Sequence, residues 1–140
     1  MKLKVFKREN SRATAVGLRT LSVRRKAHNV TLSVLFCRQE GIRTDDTTYA
    51  LLSFDTDSKN DWYIAIGNFT DGFRICSKNN KTNKAVYGKS FYFACGNTAS
   101  VLLDAAKCKS YGMFLVSERA QEIDGVKWYK IITSKPVRTK

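Results

Sequence analysis

Apolar and polar residues alternate over Thr20-Leu21-Ser22-Val23-Arg24, the two-residue period of a half-buried strand. The period then lengthens. Leu32, Leu35 and Phe36 follow i, i+3, i+4 spacing, which predicts a helix over residues 30–40. Asn29 or Thr31 is placed to cap it, since either side-chain oxygen can accept from a first-turn amide. Gly41 supplies the left-handed residue beyond its end. Thr47 to Phe54 is rich in β-formers and predicts a strand, and Trp62 to Ile66 predicts its return across a turn-rich loop at 55–61. Gly72 to Cys76 predicts a further short strand, and the polar stretch 77–84 predicts a linker.

The second half repeats this order. Ser90 to Ala94 predicts a strand, and Asn97 or Thr98 opens a helix running through Lys107 with Val101, Leu102, Ala105 and Ala106 as its stripe. Gly112 to Ser117 predicts a strand, Asp124-Gly125 a tight hairpin turn, and Val126 to Thr133 the return. Local sequence echoes accompany the repeated order. Thr31-Leu32-Ser33-Val34-Leu35 returns as Thr98-Ala99-Ser100-Val101-Leu102 at an offset of 67, and Trp62-Tyr63 returns as Trp128-Tyr129 at an offset of 66. The pattern predicts an α+β domain over 1–140. It would be an internally duplicated strand-helix-hairpin unit, mainly antiparallel sheet with two short helices, with pseudo-repeats near 20–76 and 89–133. One unit alone has too little apolar surface to fold, so two would share a core, with Trp62 and Trp128 as paired anchors. Residues 1–15 form a basic arm and residues 134–140 a basic tail.

Charge changes the picture most. The chain has 25 Lys and Arg against 12 Asp and Glu, a net of +13. The excess is uneven: residues 1–30 carry nine basic and one acidic (+8), 31–75 four and seven (−3), and 76–140 twelve and four (+8). A field of that sign attracts polyanions, and nucleic acid, DNA foremost, is the expected partner. Cations interleave with rings at two places, Arg24-Arg25-Lys26 near His28 and Lys84 to Phe93, and such surfaces hold phosphates while bases stack. The candidate nucleic-acid-binding residues are Arg12, Arg19, Arg24, Arg25, Lys26, Lys84, Lys89 and Tyr92. Phe91 and Phe93 are expected to point into the core, with Tyr92 on the opposite face of the strand.

Other chemistries find less support. Cys37, Cys76, Cys95 and Cys108 have no C-x-x-C spacing, so reduced, buried thiols are expected rather than a metal or disulfide framework. Asp55, Asp57 and Asp61 lack the glycine and closing glutamate of a calcium loop and are expected to be a solvated turn. One histidine, no glycine-rich phosphate loop and no nucleophile motif argue against an enzyme, and no cofactor is expected. No apolar run approaches the roughly 18 residues of a membrane span, and no apolar stretch follows the basic N-terminus as in a secretory signal. A cytoplasmic site of action without membrane contact is therefore expected, with homo-oligomers or a larger assembly left open.

Strand, short helix, Glu40-Gly41-Ile42, Asp45-Asp46 and then a hairpin over 49–66 resembles the AbrB/SpoVT swapped-hairpin family of DNA-binding proteins, whose MraZ-like members carry two copies in one chain. The resemblance covers 20–66 and 90–133 and is one of topology, because the family's Gly-Arg-x-x-x-Pro stretch is missing here. It implies that basic residues around the first strand and helix start face DNA. Two functions are thus expected: a DNA-binding regulator held by phosphate contacts, or a structural or assembly protein of a phage or other nucleic-acid-containing particle.

Overall fold

The computed structural model describes residues 2, 18–42, 48–77 and 91–140, and for residues 59 and 77 the backbone alone. Its strands are β1 (Thr20–Arg24), β2 (Asn29–Leu32), β3 (Tyr49–Asp55), β4 (Ser58–Gly67), β5 (Phe73–Arg74), β6 (Cys76–Ser77), β7 (Phe91–Ala94), β8 (Tyr111–Ile123), β9 (Val126–Ile131) and β10 (Arg138–Thr139). Two helices interrupt them, α1 (Val34–Gln39) and α2 (Thr98–Ala105). Every pairing is antiparallel, in the order β5-β3-β4-β9-β8-β1-β2-β7-β6, with β10 added on β8. The two ends of this order meet. β5 and β6 are separated only by Ile75, and the Phe73 ring of β5 stacks on the Phe93 ring of β7 at 5.7 Å. With β5 and β6 taken as one broken strand, the nine strands of the path become eight positions around a nearly closed barrel. A barrel of that size is filled by its own side chains.

The register explains the filling. Leu21 faces Leu32 and Phe114, and Leu32 faces Phe91. One layer away, Val23 faces Val30 and Gly112, and Val30 faces Phe93. All seven of the larger side chains in these two rows are at most 1% exposed. The eighth position is Gly112, where an added Cβ would stand 2.5 Å from the Phe114 ring and 3.1 Å from the Cys108 sulfur. The Phe114 ring thus fills the space a side chain there would take.

The helices close the barrel at opposite ends. β2 and β7 are antiparallel neighbours, and each runs into a helix, so α1 and α2 leave from opposite rims. Phe36 and Cys37 of α1, and Ala99, Leu102 and Leu103 of α2, are buried against the core. Both helices end in a Schellman turn. Ile42 N–H donates to the Cys37 carbonyl past Gly41 (φ 63°), and Cys108 N–H to the Leu103 carbonyl past Lys107 (φ 59°).

This corrects the expected α+β class. Strands account for 51% of the structure and helices for 13%, so the chain is a mainly antiparallel barrel rather than a strand-helix-hairpin unit repeated. The expected helix over 30–40 shortens because Asn29–Leu32 is a strand paired on both sides, and neither Asn29 nor Thr31 caps α1. Ser33 does, its hydroxyl accepting from Phe36 N–H at 3.3 Å and from Thr20 N–H at 3.0 Å. The second helix stops at Ala105, with Asn97 at its N-cap making no side-chain bond.

The sequence echoes fall on unlike places. Ser33 precedes α1, whereas Ser100 lies inside α2. Trp62 is 2% exposed and points inward, paired with Ile131. Trp128 is three residues from Ile131 along β9, which puts it on the outer side of the sheet, half-buried. The two tryptophans are not paired core anchors.

Candidate nucleic-acid interface

Five of the eight expected site residues fall among the described ones, and they have different surroundings. Arg12, Lys84 and Lys89 lie outside the described residues.

Arg19 is 5% exposed, which removes it from any interface. Its guanidinium lies 4.5 Å from the centroids of both the Phe36 and the Tyr129 rings. It bonds to Glu40 at 3.2 Å, to the Gln39 side chain at 3.1 Å and to the Ser117 carbonyl at 3.2 Å. Among the described residues its Nη2 has no hydrogen-bond partner. Burial first, and then the neighbouring Glu40, push the Tyr129 hydroxyl above its ordinary range. This cluster ties the α1 rim together. Arg25 is also structural: it holds Asp104 of α2 at 2.6 Å and donates to the Lys109 and Cys108 carbonyls at 2.6 and 3.1 Å, stapling the β1–β2 turn to the end of α2.

Arg24 and Lys26 are exposed and come together with residues far along the chain. The turn Arg25–His28, closed by His28 N–H to the Arg25 carbonyl at 3.2 Å, carries Lys26 outward. Residues 138–140 run along the start of β8, where Lys140 N–H donates to the Tyr111 carbonyl at 3.0 Å and Arg138 stands opposite Met113. The result is a groove of about 580 Å³ lined by Arg24, Lys26, Tyr111, Arg138 and Lys140, with no carboxylate side chain in its lining. None of these four cations forms an ion pair among the described residues. The Arg24 guanidinium lies over the Tyr111 ring, 5.5 Å from its centroid, and the Tyr111 hydroxyl reaches Ser22 at 3.4 Å. A concave patch of like charge with low-dielectric walls concentrates positive potential where an anion can sit.

Tyr92 is half-buried and points outward from β7, as expected, while Phe91 and Phe93 fill the core. The basic tail is legible in the sequence, but its partner strand is not. Tyr111, Arg138 and Lys140 join the site only through the β8–β10 pairing, for which the sequence holds no local signal.

Other features have plainer roles. Asp55 accepts from Asp57 N–H at 2.9 Å within the β3–β4 turn, and Asp61 pairs with Lys130 at 3.6 Å. Among the described residues no group of three or more His, Cys, Asp or Glu is placed to hold a metal ion. All four thiols are free, and burial raises those of Cys37 and Cys95 from 9.0 to about 11. No described helix is long and apolar enough to cross a membrane. Compared with known proteins, the chain matches no family model, no curated protein and no solved structure.

Proposed function

We propose that this chain binds nucleic acid, DNA in the first instance, in the groove between the β1–β2 turn and β10. One observation carries the reading: four exposed cations from two distant segments, unpaired among the described residues, line one groove with Tyr111 and with no acidic side chain among them. Phosphate oxygens are the anions that such a groove meets in repeating array, and guanidinium groups bind them through two parallel hydrogen bonds. Affinity comes mostly from counterion release and so falls steeply with salt. A cytoplasmic setting agrees with four unpaired thiols, three of them buried.

The experiment is a salt-titrated binding assay on the wild type and on the triple variant R24A/K26A/R138A. Arg25 is left in place because it holds α2. Removing three phosphate-binding side chains should reduce the slope of log K against log salt by about 2 to 3 and weaken binding at low salt by more than about tenfold. An unchanged slope, or no binding by the wild type at low salt, removes the groove from the reading.

A further inference from the structure

The basic groove is one end of a longer surface. Outward positions of β8, β1, β2 and β7 fall into two rows by register. The first runs Tyr111, Arg24, Asn29, Ala94, and the second Met113, Ser22, Thr31, Tyr92. Neither row contains an acid. Between the two tyrosines stand Arg24, Ser22, Asn29, Thr31 and Ala94, all small except Arg24, whose guanidinium lies over the Tyr111 ring. Tyr111 and Tyr92 stand three strands apart on the convex outer side of the barrel. An outer face with a ring at each side, no acidic side chain in either row and cations around one ring suits bases stacked on those rings.

Among the described residues a duplex finds no matching element. Reading a major groove takes a basic helix or a two-stranded basic ribbon. α1 has six residues with Arg38 as its single cation, α2 has no lysine or arginine, and both close barrel rims. The outer half of the β8–β9 hairpin is a ribbon of the right kind, but residues 117–127 carry Arg119 and Lys127 against Glu118, Glu122 and Asp124, a net of −1. We infer that the outer face of β8, β1, β2 and β7 binds single-stranded nucleic acid, with bases on Tyr111 and Tyr92 and phosphates directed to Arg24, Lys26 and Arg138. This rests on the proposed nucleic-acid reading and narrows it.

The test compares a labelled single strand of about a dozen nucleotides with the duplex of the same sequence, by fluorescence anisotropy at two salt concentrations. The proteins are the wild type, Y92L, Y111L and Y111F, each first shown to be folded by circular dichroism. The single strand should bind the wild type at least about tenfold more tightly than the duplex. Each leucine variant should lose about tenfold on the single strand with its salt slope unchanged, because a stacking surface and not a charge has gone. Y111F keeps the ring and should recover the affinity that Y111L loses. If Y111L does not fold, Y92L carries the same test from its outward position. Equal or tighter binding to the duplex overturns the inference and leaves the groove reading standing, as does wild-type affinity in both leucine variants. If neither the single strand nor the duplex binds at low salt, both readings fall.

Discussion

At the α1 rim of the barrel the nearby arginine is enclosed: Arg19 lies between two rings and is paired with Glu40. At the α2 rim, five residues along the same strand, Arg24 is open to solvent and shares a groove with three further cations. Between these extremes stands Arg25, half-buried and paired with an exposed Asp104. One short stretch of chain thus places the same side-chain type in three electrostatic settings. What separates them is whether a carboxylate from another element arrives. Glu40 follows α1 directly and meets Arg19, and Asp104 in the last turn of α2 meets Arg25. Among the described residues no acidic side chain reaches Arg24, and its charge stays unpaired there. A buried pair acts within the fold, whereas an exposed cation without a carboxylate partner is left open to an outside anion.

The comparison breaks most sharply at Arg19. R19A empties a buried site between two rings, leaves the half-buried Glu40 without its partner, and should destabilise the fold by about 3 kcal/mol. R24A and K26A together should move stability by less than about 0.5 kcal/mol. Urea unfolding of both variants checks the contrast, and equal losses would erase it.

A smaller effect compares the rims by pH. Cys37 lies in α1 and Cys95 just before α2, one thiol at each rim. Unfolded thiols ionise near 9.0, whereas in the fold burial holds both protonated to about 11. Because the folded values are raised, this stability is fully present below pH 9 and is lost as pH rises from about 9 to 11. C37A and C95A should each flatten part of that decline in a pH series of thermal melts, whatever each does to stability at pH 7. If neither slope changes, the thiols are not its cause.

The smallest change sharpens the contrast between the two helix ends. Gly41 and Lys107 occupy the same left-handed place in their Schellman turns, and only glycine adopts it without strain. K107G should stabilise the protein by about 0.5 to 1 kcal/mol, seen as a rise in Tm, while G41A should cost a similar amount. A fall in Tm for K107G would mean that the lysine side chain contributes more than the strain it brings.

Alternation was the readable part of this fold. Leu21 and Val23, Phe91 and Phe93, and the Asp124-Gly125 turn (φ 53° and 79°) stand where a two-residue period and turn chemistry put them. β2 was masked because Leu32, its last inward residue, also completes an apolar i, i+3, i+4 set with Leu35 and Phe36. Only pairing with β1 on one side and β7 on the other decides for the strand. The paired tryptophans misled for a related reason: a shift of one residue in register turns a side chain to the opposite face. At the site, the cations Arg24 and Lys26 and the outward Tyr92 could be named from the sequence. The burial of Arg19 and the arrival of Arg138 beside Tyr111 depend on contacts between distant segments, which local pattern does not encode.

The wall of the groove has a consequence for synthesis. Arg24 and Lys26 leave the ribosome long before their neighbours, because β1 is held by residues 111–115 of β8 and the opposite wall is residues 138–140. A nascent chain therefore carries an exposed basic turn without the groove's second wall until residue 138 and its neighbours have been made. Pairings this remote in sequence form slowly, on the order of milliseconds to seconds in mainly-β domains. The groove closes only when β10 docks, so the proposed binding site is completed together with the finished barrel.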